Sequence, residues 1–351
     1  MNDFKETLEY IEEVRNKEYV GVPFNMGTFD EVFPYIEPSR QILIFANTGI
    51  GKTQYCIRKF LIEPFLFHLK TGYKVHITYA AIEMRRVDIM AQVMSYFYYL
   101  KHDVRLPKEA FLRKPNSALM KQLYELHDDY YKFNEIVDIT SEYKHPTGLY
   151  KYLKNKALAN GEIKKIDQFK SEYENKTGVH QIAIIDTINS MKVEANHTRT
   201  SNIDLFSGTY SKELVDYYGY SSVILQQADK GSEVNSFNFK GNRIEYQTMP
   251  SRGSLAYSKH TPDDANIVMS LYSPFAYNIK AYPFESEKKT DLYDITKWEN
   301  SFRTLTISKN RDGTAPAECS MYFDGRIAEF IQLPKAAEFH KNPELYRKYL
   351  K

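Results

Sequence analysis

The sequence predicts an α/β fold: a mostly parallel, twisted sheet with helices on both faces, preceded by a short N-terminal linker helix. Three observations carry that prediction. Apolar strand-like runs alternate with helix-like stretches along most of the 351 residues. Gln41–Thr53, QILIFANTGIGKT, reads as a buried strand, a small-residue loop, and Lys-Thr at the head of a helical pattern over Gln54–Lys70. Gln181–Asp186, QIAIID, is another apolar run, and it ends in an acid.

The elements follow in order. Residues 3–17 read as a helix with Phe4, Leu8, Ile11 and Val14 on one stripe. Two readings stand open for it: packing on its own domain, or docking on a neighbouring subunit. A turn-rich link, GVPFNMGTFDEVFP, leads to the first strand. After the helix at 54–70, TGYKVHITYA gives a turn and a second buried strand, closed by Ala81-Ile82-Glu83-Met84. A helix to about Leu100 comes next, then a polar, helix-like stretch at 104–134. Asn134–Ile139 reads as a third strand and Pro146–Ala157 as a helix. Residues 158–178 are strongly charged and read as a solvated insertion. The strand QIAIID, a helix over Ser201–Tyr218 and the buried strand Ser222–Gln227 follow. Residues 228–262, rich in Gly, Ser and Asn, read as mobile. Asn266–Tyr272 and Phe302–Ser308 are late strands on either side of a polar insertion at 277–300. Ser320–Phe323 and Arg326–Ile331 suggest a hairpin about Asp324-Gly325. The organisation expected is a linker helix over 1–20, one large domain over 21–333, and a basic helical tail over 334–351.

Composition narrows the function classes. With 42% hydrophobic and 26% charged residues, a well-packed core is expected. The net charge of +2 gives no global basic field, so a nucleic-acid contact must come from a local patch. Cys56 and Cys319 lie far apart, which argues against a disulfide framework or a zinc site and fits a reducing compartment. No run approaches the roughly 20 apolar residues of a membrane span, and the acidic, amphipathic N-terminus is unlike a signal peptide. Tyr (29) and Phe (21) are abundant, in keeping with AT-rich coding.

The chemistry-bearing residues cluster at strand ends. A P-loop cradles nucleotide phosphates on backbone N–H groups at a helix N-terminus. Here the cradle is Ala46, Asn47, Thr48, Gly49, Ile50, Gly51, Lys52 and Thr53, with Ala46 where the usual first Gly stands. Lys52 supplies a mobile positive charge, and the Thr53 hydroxyl a Mg²⁺ ligand. Asp186 is the expected metal-holding acid. Glu83 is the candidate base that orients the attacking water, set among apolar residues where an idle carboxylate would be costly. Gln226 and Gln227 point to opposite faces of a strand, and Gln227 is the one taken to face the nucleotide. Lys309 and Arg311 stand two residues apart on an extended segment. They read either as a charged turn or as cations, Arg311 an arginine finger, set against a neighbour's nucleotide.

The ordered set resembles the DnaB-type replicative helicases, a branch of the RecA-like ring ATPases. Gly21-Val22-Pro23 with Thr28-Phe29-Asp30 is similar to the family's entry segment, and ILIFANTGIGKT to its P-loop. ITYAAIEM resembles the strand that delivers the catalytic Glu, IAIIDTINSM the metal-binding strand, VILQQADK the Gln-bearing strand, and ISKNRDG the segment sent into the next subunit. The likeness spans about residues 18–333. It implies a RecA-like P-loop ATPase core, ATP with Mg²⁺ between subunits, and a homo-oligomeric ring of six. It further implies residues 3–17 docked on the adjacent subunit and loops at the ring hole gripping single-stranded DNA. Lys230, Lys240, Arg243, Arg252, Gly253, Ser254 and Lys259 are the candidates for that grip, through salt-sensitive contacts to phosphates. Primase, polymerase or a helicase loader are the implied partners, with no membrane, in the cytoplasm of a bacterial or phage-infected cell. The family's N-terminal primase-interacting domain is expected to be absent, since the core begins near residue 18. The expected activity is ATP-driven unwinding of DNA. The rival readings are a RecA- or KaiC-like ATPase of recombination or regulation, and an assembly module that binds ATP without unwinding.

Overall fold

Strands buried on both faces need apolar side chains at successive positions, and the central strands meet that condition. A computed structural model describes residues 2–229, 249–283, 289–345 and 349. Helix α1 (Asn2–Asn16) comes first, then a two-stranded entry sheet of β1 (Val22–Pro23) and β2 (Tyr35–Ile36). The P-loop strand β3 (Arg40–Ala46) runs into α2 (Lys52–Cys56). That helix continues through a π-helical stretch, Ile57–Ile62, into α3 (Glu63–Thr71). Strand β4 (Val75–Ala81) and helix α4 (Arg86–His102) follow, then α5 (Lys108–Leu112), α6 (Ser117–Tyr124) and α7 (His127–Ile136). Next come β5 (Val137–Thr140), α8 (Pro146–Asn160), the hairpin β6 (Gly161–Lys165) and β7 (Ser171–Asn175), and β8 (His180–Asp186). Helices α9 (Arg199–Asp204) and α10 (Lys212–Asp216), joined by a π-helical stretch, precede β9 (Ser221–Gln227). The last strands are β10 (Ile267–Tyr272), the short pair β11 (Ala281–Tyr282) and β12 (Tyr293–Asp294), and then β13 (Phe302–Asn310), β14 (Ala317–Asp324) and β15 (Glu329–Gln332).

Nine of these strands form one sheet in the order β15-β14-β13-β10-β3-β9-β8-β4-β5. From β10 to β5 all neighbours are parallel, and β13, β14 and β15 add an antiparallel edge. Side-chain alternation splits the core between two faces. Ile42, Ile44, Val223, Leu225, Ile182 and Ile184 point into one apolar layer. Leu43, Phe45, Ile224, Ala183 and Ile185 point into the other. The α/β expectation and the mostly parallel sheet hold, and both cysteines are free and buried. No helix among the described residues is long and apolar enough to cross a membrane.

Two expectations need correction. The third strand starts at Val137, because α7 keeps Asn134, Glu135 and Ile136 helical. The charged insertion at 158–178 is solvated as expected, and its middle pairs as the hairpin β6–β7, with Lys164 and Lys176 both paired to Glu174. The closing hairpin turns over Gly325–Ala328, so β15 starts at Glu329 and not at Arg326. In α1, Leu8 and Ile11 are 43% and 53% exposed, so these stripe residues find no cover on their own domain. In the basic tail Ala336–Lys341 is helical, and so are Leu345 and Tyr349 among its described residues.

Candidate active site

Three parallel strands deliver their carboxyl ends to one cleft. β3 ends in the P-loop, β8 in Asp186 and β9 in Gln227, and two residues beyond β4 stands Glu83. The cleft is a cavity of about 290 Å³ whose walls include Asn47, Thr48, Gly49, Gly51, Lys52, Thr53, Glu83, Asp186 and Gln227. The sequence-predicted groups are thus brought together from stretches of chain up to 180 residues apart in numbering.

The loop geometry depends on its glycines. Gly49 and Gly51 sit at φ +81° and +102°, where side chains with a Cβ are strained. Nothing lies within 4 Å of the Cβ position at Gly49, so the loop presents open backbone there. At Gly51 a Cβ would also press on the Phe323 ring, 3.3 Å away. Ile50 is buried and Ala46 fully so, both holding the loop to the core. The Asn47 amide nitrogen donates to the Tyr277 hydroxyl, while its oxygen has no hydrogen-bond partner among the described residues.

The charges are buried and coupled. Asp186 is 2% exposed and accepts from Tyr79 Oη at 2.5 Å and from Thr53 Oγ1 at 3.2 Å. Burial raises its pKa, against the pull of Tyr79, Lys52 and Thr53. Lys52 is buried as well, and that burial pushes its ammonium down to about 8 while Asp186 and Glu83 pull it back up. A buried carboxylate oriented by a hydroxyl at the head of a helix suits a divalent cation, with Thr53 and Asp186 as the fitting donors.

Glu83 is exposed, so the argument from an apolar setting does not hold for it. Its place comes from the backbone: Ile82 and Glu83 both donate N–H to the Asp186 carbonyl, at 2.9 and 3.3 Å. Ser190 Oγ donates to its carboxylate at 3.4 Å. The two glutamines divide as the strand requires. Gln226 is fully buried and donates to the carbonyls of Ala256 and Ser258, both at 3.0 Å. Gln227 faces the cleft, its N–H fixed on Asn189 Oδ1 at 2.7 Å.

Lys309 and Arg311 are not in this cleft. Lys309 pairs with Val268, and Val268 with Leu43 of β3, while Arg311 N–H reaches the Asn266 carbonyl. Asn266 in turn hydrogen-bonds the backbone of Gln41. Arg311 is therefore level with the start of β3, five residues or roughly 17 Å from its P-loop end. Lys309 Nζ donates to Pro262 and Asp263 carbonyls at 2.7 and 2.9 Å, and Arg311 to that of Asp263 at 2.8 Å. Burial and the nearby Arg311 and Arg252 charges lower the Lys309 pKa. Gly253 and Ser254 form a short turn capped by Ser251, which returns the chain to β9 through an Ala228–Leu255 bridge. Arg252, Gly253 and Lys259 are exposed. Lys230, Lys240 and Arg243 lie outside the described residues.

Sequence reasoning missed Arg303. Its guanidinium is 4% exposed and donates to the Ile50 carbonyl of the P-loop at 2.7 Å. It also donates to Ser273 Oγ and to the carbonyls of Asn300 and Phe302 at 2.8–3.0 Å, and lies 4.6 Å over the Phe323 ring. No carboxylate pairs with it among the described residues, and burial lowers it to about 10. A second cavity of about 660 Å³, lined by Arg303, Asn300, Phe323 and Arg326, opens on the other side of Gly49.

The sequence matches no family model and no curated protein. Solved structures share its fold. One solved ATPase domain aligns over 95% of this chain and 99% of its own, at TM-score 0.64 and 16% identity. A DnaB-like replicative helicase, solved in a study of its interactions with primase, aligns over 93% of this chain and 67% of its own, at TM-score 0.65 and 17% identity. A KaiC-like protein of Pyrococcus horikoshii OT3 aligns over 91% of this chain and 99% of its own, at TM-score 0.46 and 12% identity. The chain has the RecA-like P-loop fold found in the ATPase domains of DnaB-like helicases.

Proposed function

We propose that this protein is an ATP-driven ring translocase, a DnaB-like DNA helicase that moves on single-stranded DNA. The observation that carries the reading is the division of charged groups between two ends of one sheet's strands. Lys52, Thr53, Glu83, Asp186 and Gln227 share the cleft, whereas Lys309 and Arg311 sit at the far end of the same strands. A catalytic set divided in this way closes only between two copies of the chain.

In this reading the N–H groups of Thr48 to Gly51 and the start of α2 hold the phosphates of ATP. Lys52 neutralises charge on the terminal phosphates. Thr53 and Asp186 would hold Mg²⁺, which offsets phosphate charge when bound. Glu83, exposed at the cleft mouth, orients the attacking water and accepts its proton. Gln227 meets the terminal phosphate and passes its presence to the loop beyond β9. The neighbour's Lys309 and Arg311 leave the Pro262 and Asp263 carbonyls to stabilise the departing phosphate. The open cavity beyond Gly49 takes the nucleoside. Helix α1 places Leu8 and Ile11 on an adjacent copy, for which the apolar groove of Phe65, Leu66, Leu69, Phe97 and Leu100 is the receiving surface. Arg252, Gly253, Ser254 and Lys259, with the predicted cations before them, contact DNA phosphates. A six-membered ring, acting in the cytoplasm with a primase, polymerase or loader, completes the proposal.

Lys52→Ala should lose DNA-stimulated ATP hydrolysis. Arg311→Ala and Glu83→Gln should each be inactive alone. Mixed, they should recover hydrolysis, because some seams then have both good halves. A chain that stays monomeric by solution mass measurement with ATP and an oligonucleotide, or a mixture as inactive as its components, would overturn the reading.

A further inference from the structure

Residues 104–112 match no motif, yet the structure brings one of them into the cleft. Lys108, the first residue of α5, is half-buried and lines the same cavity as Lys52, Glu83, Asp186 and Gln227. It has no hydrogen bond or ion pair among the described residues. Asp88 feels its charge, but both oxygens of that carboxylate are already taken by Arg85, at 2.7 and 2.9 Å. An ammonium that is partly desolvated, unpaired and facing a cavity favours an anionic ligand.

The segment is braced on both sides of Lys108. Three residues earlier, Arg105 pairs with Asp324 at 3.1 Å and with Glu329 at 3.3 Å, and lies over the Tyr99 ring at 5.1 Å. Three residues later, Phe111 is buried against Tyr98. Pro107 between them fixes the entry to α5 in an extended conformation. Such bracing cuts the conformational freedom that a surface lysine would otherwise lose on binding. Lys108 shares the lining of this cavity with Glu83, Met84 and Gln92 as well as with Lys52.

We propose that Lys108 is a second cation for the terminal phosphate of the nucleoside triphosphate, supplied by the same subunit that holds the P-loop. This inference rests on the nucleotide-site reading above. Lys52 meets the phosphates from the P-loop, and Lys108 meets them from α5. The residue therefore distinguishes triphosphate from diphosphate, and acts before any neighbour is engaged.

The test measures binding of fluorescent ATP and ADP analogues, with Mg²⁺, to the full chain as wild type, Lys108→Met and Lys108→Arg. Loss of one charge-assisted phosphate contact predicts about tenfold weaker ATP binding for Lys108→Met, equal to about 1.4 kcal/mol, with ADP changed less than about twofold. Lys108→Arg should stay within about threefold of wild type. Arg105→Met, which frees the brace without touching the cleft, should give a smaller loss confined to ATP. If wild type binds neither nucleotide, the site reading itself fails. If wild type binds both and Lys108→Met weakens them equally, or neither, Lys108 has no role at the terminal phosphate.

Discussion

Arg303→Met removes the guanidinium that braces the P-loop from below and leaves an apolar side chain of similar length. Four contacts disappear: to the carbonyls of Ile50, Asn300 and Phe302, and to Ser273 Oγ. Hydrogen bonds to a charged group contribute about 1.5–3 kcal/mol each, so at the lower figure the four are worth on the order of 6 kcal/mol. Against that stands the cost of keeping the charge buried. A pKa near 10 in place of 12.5 means the charged form is disfavoured by about 3 kcal/mol, and Met is free of that cost. The net expectation is roughly 2–4 kcal/mol of lost stability, with the Ile50 carbonyl left unpaired. The loop then loses its anchor next to Gly49 and Gly51, and nucleotide affinity should fall by about an order of magnitude. Urea denaturation gives the first quantity and titration with a fluorescent nucleotide the second. Arg303→Lys should recover little of either, since an ammonium cannot span four acceptors. If Arg303→Met unfolds at the wild-type urea midpoint and binds nucleotide normally, the brace is not energetically significant and the reasoning fails.

Two further predictions concern stability and assembly. His180 is buried between Tyr73 Oη and Ser221 Oγ, and burial lowers it to about 3, so the fold holds it neutral while the unfolded chain protonates below about 6.5. Stability is therefore unaffected by His180 above about pH 6.5 and lost as pH falls below it, by about 2 kcal/mol at pH 5. The difference in urea stability between pH 8 and pH 5 should shrink by about that amount in His180→Gln; an unchanged difference refutes the assignment. Leu8→Glu with Ile11→Glu should leave the unfolding of dilute monomer within about 0.5 kcal/mol of wild type. Because burial of such side chains is worth about 1.5–3 kcal/mol each, self-association should weaken by about tenfold or more. Sedimentation at several concentrations checks this, and an unaltered association constant removes α1 from the seam.

What the sequence made legible was local. The P-loop announces itself because strand, glycines, Lys52 and Thr53 are contiguous. Asp186 and Gln227 were readable because strand ends are fixed by short apolar runs and by the two-residue period that sets Gln226 against Gln227. Glu83 was found with the wrong reason: apolar neighbours in sequence do not imply burial two residues past a strand end. Arg303 and Lys108 carried no signal. Arg303 meets Ile50 across 253 positions of numbering, and within β13 it reads as an ordinary charged residue beside Phe302. Lys108 sits in a polar stretch whose direction is set by Arg105 reaching Asp324 and Glu329, a partnership invisible until the closing hairpin folds over. The start of β5 was misjudged because Ile136 suits a helix end as well as a strand.

The hairpin of β6 and β7 joins α8 to the amino end of β8, while Asp186 stands at the other end of that strand, roughly 20 Å away. Phe169, between the two hairpin strands, is 92% exposed. Both native thiols are buried, and burial holds Cys319 at about 12 and pushes Cys56 well above its usual value, so neither competes for alkylating reagents near neutral pH. A cysteine placed at position 169 would therefore take a maleimide dye alone. In the proposed ring, the fluorophore would ride on the body of each protomer and report its rotation during turnover.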